Sequence, residues 1–278
     1  MSSNIKGNRS GKTAKPVSFQ RTVERDISKL HPFTVENLLD VDKSIHQLRK
    51  SLKSVSAILL LYKEQFDQTQ YINGKSLIKS LSKQYGVVRE PYVYLQTFNR
   101  IENELKGIGD CNPDELRSHF ELQYQQTLNG GSGNETIQQG NKSILKLTET
   151  LTNFEVTSDP KRLRRKLSVS FRRAKKLFIK LKTNSSADDF HEFRKWCKIF
   201  YFQQAALHRL GKGRAPKKNI QLYILTEYLG KEHDLQMLFE YMVLHFAVLS
   251  CTYEPFFKLK IKKLRKKVLA LYPKVNYL

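Results

Sequence analysis

The chain has 278 residues, 40% of them hydrophobic, with 49 Lys and Arg against 26 Asp and Glu, a formal net charge of +23. Such a chain can bury one large core or two smaller ones, and the charge favours a polyanionic partner: DNA, RNA, an anionic membrane surface or free polyphosphate. Three scattered cysteines, Cys111, Cys197 and Cys251, form no Cys-x-x-Cys pair, which argues against a disulfide framework or a zinc site and for a reducing, cytoplasmic setting.

Residues 1–20 read as a disordered basic tail, because Met1–Lys15 is basic and rich in small residues and no secretory apolar stretch follows it. Apolar residues at three- and four-residue spacing predict helices over about 35–68, 75–85, 92–105 and 113–128. The segment NGGSGNETIQQGN, Asn129–Asn141, lacks apolar periodicity, so 129–142 reads as a flexible linker. Helices are then expected over about 143–154, 160–182, 187–210, 217–249 and 254–271. Proline at a first helical position, in Asn112-Pro113 and Ser158-Asp159-Pro160, supports two of these starts. No alternating run predicts a strand, and the apolar runs Ala57–Tyr62 and Met242–Cys251 fall short of the roughly 20 residues that span a bilayer. The expected class is all-α, with two helical-bundle halves, 21–128 and 143–278, and no membrane insertion.

One pattern occurs twice: His46-x-x-Arg49-Lys50-x-x-Lys53 and His191-x-x-Arg194-Lys195-x-x-Lys198. At about 100° per residue the four polar side chains of a copy share an arc of roughly 100°, beside an apolar face of Ile45, Leu48, Leu52, Val55 and Leu59. The second copy repeats this with Phe190, Phe193, Cys197, Phe200 and Gln204. A further similarity, Leu81-x-x-x-x-Gly86-x-x-Arg89-Glu90 and Leu225-x-x-x-x-Gly230-x-x-His233-Asp234, follows in the same order at nearly the same offset. Two motifs in register imply an internal duplication, each half holding about four helices with polar edges left to line a groove.

The motif suits a chain of phosphates. Spacing i, i+3, i+4, i+7 sets cations side by side along roughly 10 Å of helix. Arginine offers a planar fork to phosphate oxygens, lysine a point charge, and histidine a pH-dependent donor. Cations facing one another should depress the histidines' pKa, so anion affinity should rise on acidification through about pH 6 to 7. The helix over 160–182 adds Arg165, Arg172, Arg173 and Lys176 around an apolar seam, and Lys258–Lys267 carries more. A merely solvated face would mix signs, whereas no acid occurs between Lys43 and Lys63. Nucleic-acid binding is the rival reading, although most Tyr and Phe fall at core spacing rather than where bases would stack. No metal site is expected, since the motif histidines sit among cations, and no cofactor motif, nucleophile elbow or phosphate-binding glycine loop occurs. The chain is expected not to be an enzyme.

On these residues the chain resembles the conserved histidine α-helical domain (CHAD) family, over roughly residues 34 to 275. Its mark is a duplicated helix with His-x-x-Arg-[Lys/Arg]-x-x-[Lys/Arg], each copy followed by a Gly-x-x-Arg-Asp-like turn. The resemblance implies two pseudo-symmetric four-helix bundles around a basic central groove that binds inorganic polyphosphate, and a cytoplasmic location that includes polyphosphate granules. Both copies of the first motif are intact here, at His46, Arg49, Lys50 and Lys53 and at His191, Arg194, Lys195 and Lys198. The second motif departs: Arg89 is kept with Glu90 for Asp, while His233 stands where the family has Arg.

Overall fold

The expected apolar periodicity is realised as nine α-helices in the computed structural model, which describes residues 15–32, 38–108, 113–129, 131–183, 186–211 and 220–275. In chain order they are α1 (Phe19–Ile27), α2 (Leu38–Leu61), α3 (Gln68–Leu105), α4 (Asp114–Asn129), α5 (Gly131–Thr152), α6 (Pro160–Thr183), α7 (Ala187–Arg209), α8 (Ile220–His245) and α9 (Ala247–Leu271). A 3-10 turn, Tyr272–Lys274, closes the described chain. No described helix is long and apolar enough to cross a membrane.

Several boundaries differ from the sequence reading, each for a packing reason. The expected tail ends early: residues 1–14 lie outside the described residues, but Val17–Ser18 pairs antiparallel with Thr157–Ser158, and Ser18 caps α1 by accepting from the Arg21 amide. Phe19 is wholly buried, its ring edge-on to Tyr62 and Phe66. The expected flexible linker is helical from residue 131 onward. Ile137 and Gly140 continue the buried stripe of Ile144, Leu147 and Leu151, and Gly140 lets Tyr85 approach so closely that a Cβ there would stand 2.5 Å from its hydroxyl oxygen. The two helices expected over 75–85 and 92–105 are one, α3, running through Pro91. Proline costs the helix one amide bond, and burial of Leu81, Tyr85 and Val88 on one side of it and Leu95 and Phe98 on the other outweighs that loss. Likewise α9 begins seven residues before the expected Glu254, where Phe246, in a non-helical conformation, breaks the chain after α8.

The core is divided in two, and neither part belongs to one half of the chain. The larger cluster joins α1, α2, α5, α6 and α7 to the N-terminal halves of α3 and α8, with Leu128 of α4 and Val268 of α9 at its margin; the smaller joins the other buried apolar residues of α4 and α9 to the C-terminal halves of α3 and α8. The duplicated helices meet across the molecule, α2 against α7 and α3 against α8. On α3 the larger cluster ends at Val88 and the smaller begins at Leu95; on α8 the corresponding residues are Leu229 and Leu235. Arg89-Glu90 and His233-Asp234 fall in these two intervals. A polar waist therefore separates the cores, and both second motifs lie in it.

Candidate functional site

Both stripes are anchored by the apolar faces read from sequence. Ile45, Leu48, Leu52, Val55 and Leu59 are 2% exposed or less, as are Phe190, Phe193, Cys197 and Phe200. This fixes the rotation of α2 and α7. His46, Lys50, Lys53, His191 and Lys195 remain exposed, while Arg49, Arg194 and Lys198 are half-buried.

Each stripe meets its own half's second motif. In the first copy an Arg89 nitrogen lies 3.2 Å from His46 Nδ1, and Arg49 feels the Glu90 carboxylate. In the second, the His233 and His191 rings stand 5.2 Å apart, and Asp234 acts on Arg194. The arrangement is the same with Arg89 replaced by His233, so the duplication extends to tertiary contacts. One detail is not symmetric. Arg49 donates to the Ser82 carbonyl at 2.7 Å and passes close to Gly86, where a Cβ would be 3.3 Å from its Nη1; a Cβ at Gly230 would meet nothing within 4 Å. Gly86 makes room for a guanidinium, and Gly230 has no such task.

The stripes also act on each other. Lys53 is pushed down to about 7, first by burial and then by Lys198, Arg194 and Arg49; Lys198 falls to about 8 through burial and Arg194. Lys53 is exposed as a residue even though its ammonium is crowded by the protein around it. His46 is depressed by burial and then by Arg89, Lys50, Lys53 and Lys198, in the direction expected from sequence. His233 is driven to about 3 by burial, Arg194 and His191, and is neutral at physiological pH. Burial raises the Asp234 carboxyl, against the pull of Arg194, Lys198, Arg100 and Lys53. Every charge named here comes from α2, α3, α7 or α8. Burial leads each of these shifts, and the further depression by neighbouring cations reflects positive charges held together without enough counter-charge.

The remaining predicted site residues lie elsewhere. Arg165, Arg172, Arg173 and Lys176 are exposed on α6; Arg173 stacks on Trp196 at 4.4 Å, and neighbouring Arg162 and Lys166 pair with Glu64. Lys195 pairs with Glu192 at 2.9 Å, so one member of the second stripe carries a counter-charge from its own helix. On α9, Arg265 turns inward, bonding buried Glu232 at 2.8 Å and stacking on Phe190 at 4.5 Å, a structural use of a cation from the basic run. Sequence reading missed Arg100, whose field reaches Asp234. It stands eleven residues beyond Arg89, three helical turns along the same face of α3, and that spacing was the available signal.

A family model described as CHAD domain matches residues 24–241. Among solved structures, PptA from Streptomyces chartreusis aligns with 92% of this chain and 96% of its own at 12% identity and a TM-score of 0.61, a likeness of fold. The CHAD domain from the plant Ricinus communis aligns with 91% of this chain and 82% of its own at 16% identity, with a TM-score of 0.47. No curated protein matches the sequence.

Proposed function

The chain belongs to the CHAD domain family, and on that premise we propose that it binds inorganic polyphosphate along a groove between its two stripes, as a binding or targeting protein rather than a catalyst. The observation that carries this reading is the convergence of both stripes from opposite halves of the chain, with α2 packed on α7 and close enough for Lys198 to depress Lys53 and for Lys50 to depress Lys198. A linear polyanion laid between them relieves that repulsion along its length. His46, Arg49, Lys50 and Lys53 take one side and His191, Arg194, Lys195 and Lys198 the other, with Arg89 joining the first. The exposed α6 cations Arg165, Arg172, Arg173 and Lys176 add long-range attraction that steers the ligand inward. Glu90 and Asp234 neutralise part of the arginine charge and hold the forks in place.

The test is binding of long-chain polyphosphate by the full chain at near-physiological salt, with single-stranded RNA and duplex DNA as competitors. Polyphosphate should win by orders of magnitude, and Arg49→Glu with Arg194→Glu should abolish binding while helicity is retained. Displacement by RNA or DNA at equal charge concentration would make the stripes a nucleic-acid surface, and unaltered binding by the double variant would move the site to other cations.

A further inference from the structure

Next to the first stripe is a cleft of about 330 Å³ with a lining unlike the rest of the groove. His46 and Arg89 belong to both, so whatever the cleft holds is continuous with the phosphate path. Its other walls include Asp42, Gln96, Thr97 and the ring of Tyr92. Asp42 and Thr97 are 3% and 4% exposed, and each has a buried oxygen without a hydrogen-bond partner. Asp42 Oδ2 accepts from the Tyr124 hydroxyl, which fixes the carboxyl and leaves Oδ1 without a partner; the Thr97 hydroxyl has none either. Buried polar atoms in folded proteins are nearly always paired, and leaving one unpaired is costly.

A bare phosphate chain could accept from the Thr97 hydroxyl but could not satisfy Asp42 Oδ1. At neutral pH its bridging and ionised oxygens only accept hydrogen bonds, and they would be repelled by a carboxylate. Asp42 Oδ1 calls for a donor, such as a sugar hydroxyl or an exocyclic amine, and Tyr92 and Val93 offer apolar surface to a ring. The volume lies at the lower end of the roughly 300–1,000 Å³ usual for small-molecule sites. We propose that this cleft binds the nucleoside of a nucleoside polyphosphate, with a hydroxyl or amine donating to Asp42 Oδ1 and pairing with Thr97, and with the phosphates running over Arg89 and His46 onto the stripe. The proposal rests on the anion-binding reading of the groove and adds a specificity for what the phosphates are attached to.

Calorimetric titration of the full chain with ATP and with tripolyphosphate, which has as many phosphorus atoms, separates the two ideas. ATP should bind at least tenfold more tightly although tripolyphosphate carries no less charge. Thr97→Val, which removes only the hydroxyl, and Asp42→Asn, which keeps an acceptor for Tyr124, should each erase that advantage and leave tripolyphosphate affinity within about twofold. A measurement on the unaltered protein guards against a misfolded variant: saturation transfer from protein to the ribose and base protons of bound ATP should be strong. Equal affinity for the two ligands, an ATP advantage that survives both substitutions, or absence of transfer to those protons would each overturn the cleft assignment while leaving the groove intact. Failure of tripolyphosphate and long-chain polyphosphate alike to bind would remove the groove reading itself.

Discussion

Lys53 and Lys198 carry the most direct chemical consequence of the duplication. Each gains a folded-state pKa far below the ordinary lysine value, to about 7 and about 8, because burial and the opposite stripe disfavour its charge. An anion binds the protonated forms, so binding should take up protons between pH 7 and 9, and polyphosphate affinity should fall by about tenfold per pH unit for each lysine that has lost its proton. Titrations at pH 6.5, 7.5 and 8.5 would show it, and a flat profile would mean that the stripes do not share a ligand. Lys53→Met with Lys198→Met should weaken binding and flatten this slope. The two motif glycines supply a second contrast. Gly86→Ala crowds the Arg49 fork and should lower affinity about three- to tenfold, whereas Gly230→Ala meets open space and should stabilise the helix by about 0.5–1 kcal/mol with binding unchanged. Denaturant melts and titrations of the two variants test the pair. The stripe residues were legible because four polar side chains beside an unbroken apolar face leave one rotation of the helix. The role of Gly86 was not, since it depends on how close Arg49 passes on another helix.

At the scale of single elements, α5 shows how a sequence pattern can be present and overlooked. Ile137, Gly140, Ile144, Leu147 and Leu151 recur at steps of three and four, but glycine at one core position and GGSG before it conceal the period. The glycine is small because Tyr85 fills its place: an added Cβ would lie 2.5–2.8 Å from three atoms of that ring and its hydroxyl. Gly140→Ala should therefore destabilise the protein, by about 1–3 kcal/mol as overpacking usually does, despite the helix propensity gained. Loss of about 1 kcal/mol or more in a urea melt supports this, and a stabilised variant would mean that α5 does not dock on α3 as described. Pro91 hid α3 in the same way. Local breakers carry a cost, but whether a helix continues through them depends on the burial available on either side, which is a tertiary quantity.

For the whole molecule, the partition into two cores was the least legible feature. Duplicated motifs suggested one bundle per half, yet α3 and α8 are each long enough to serve both clusters, and the polar second motifs lie between. Pairing across the halves is what brings like charges face to face, so the empty protein, already at +23, is strained electrostatically at its waist. The sign of the resulting pH effect can be worked out. Below about pH 7 both groove lysines are charged in folded and unfolded chains alike and their repulsion is fully felt. Between pH 7 and the ordinary lysine value of 10.5 the unfolded chain holds protons that the folded one has released, so stability of the empty protein rises with pH. Ordinary histidines are neutral and ordinary lysines charged across pH 7 to 9, and buried Cys197, whose thiol burial pushes up, opposes the lysine pair only towards the top of that window. With saturating polyphosphate the lysines stay protonated in the complex and the extra stability from binding shrinks as affinity falls. Calorimetric melts at pH 7, 8 and 9 should thus show the melting temperature of the empty protein climbing while its gap to the bound form narrows, by roughly 2–4 °C for each kcal/mol. If the empty and bound forms moved in parallel, the groove cations would not be coupled to the ligand, and the basic surface would be acting only through its diffuse field.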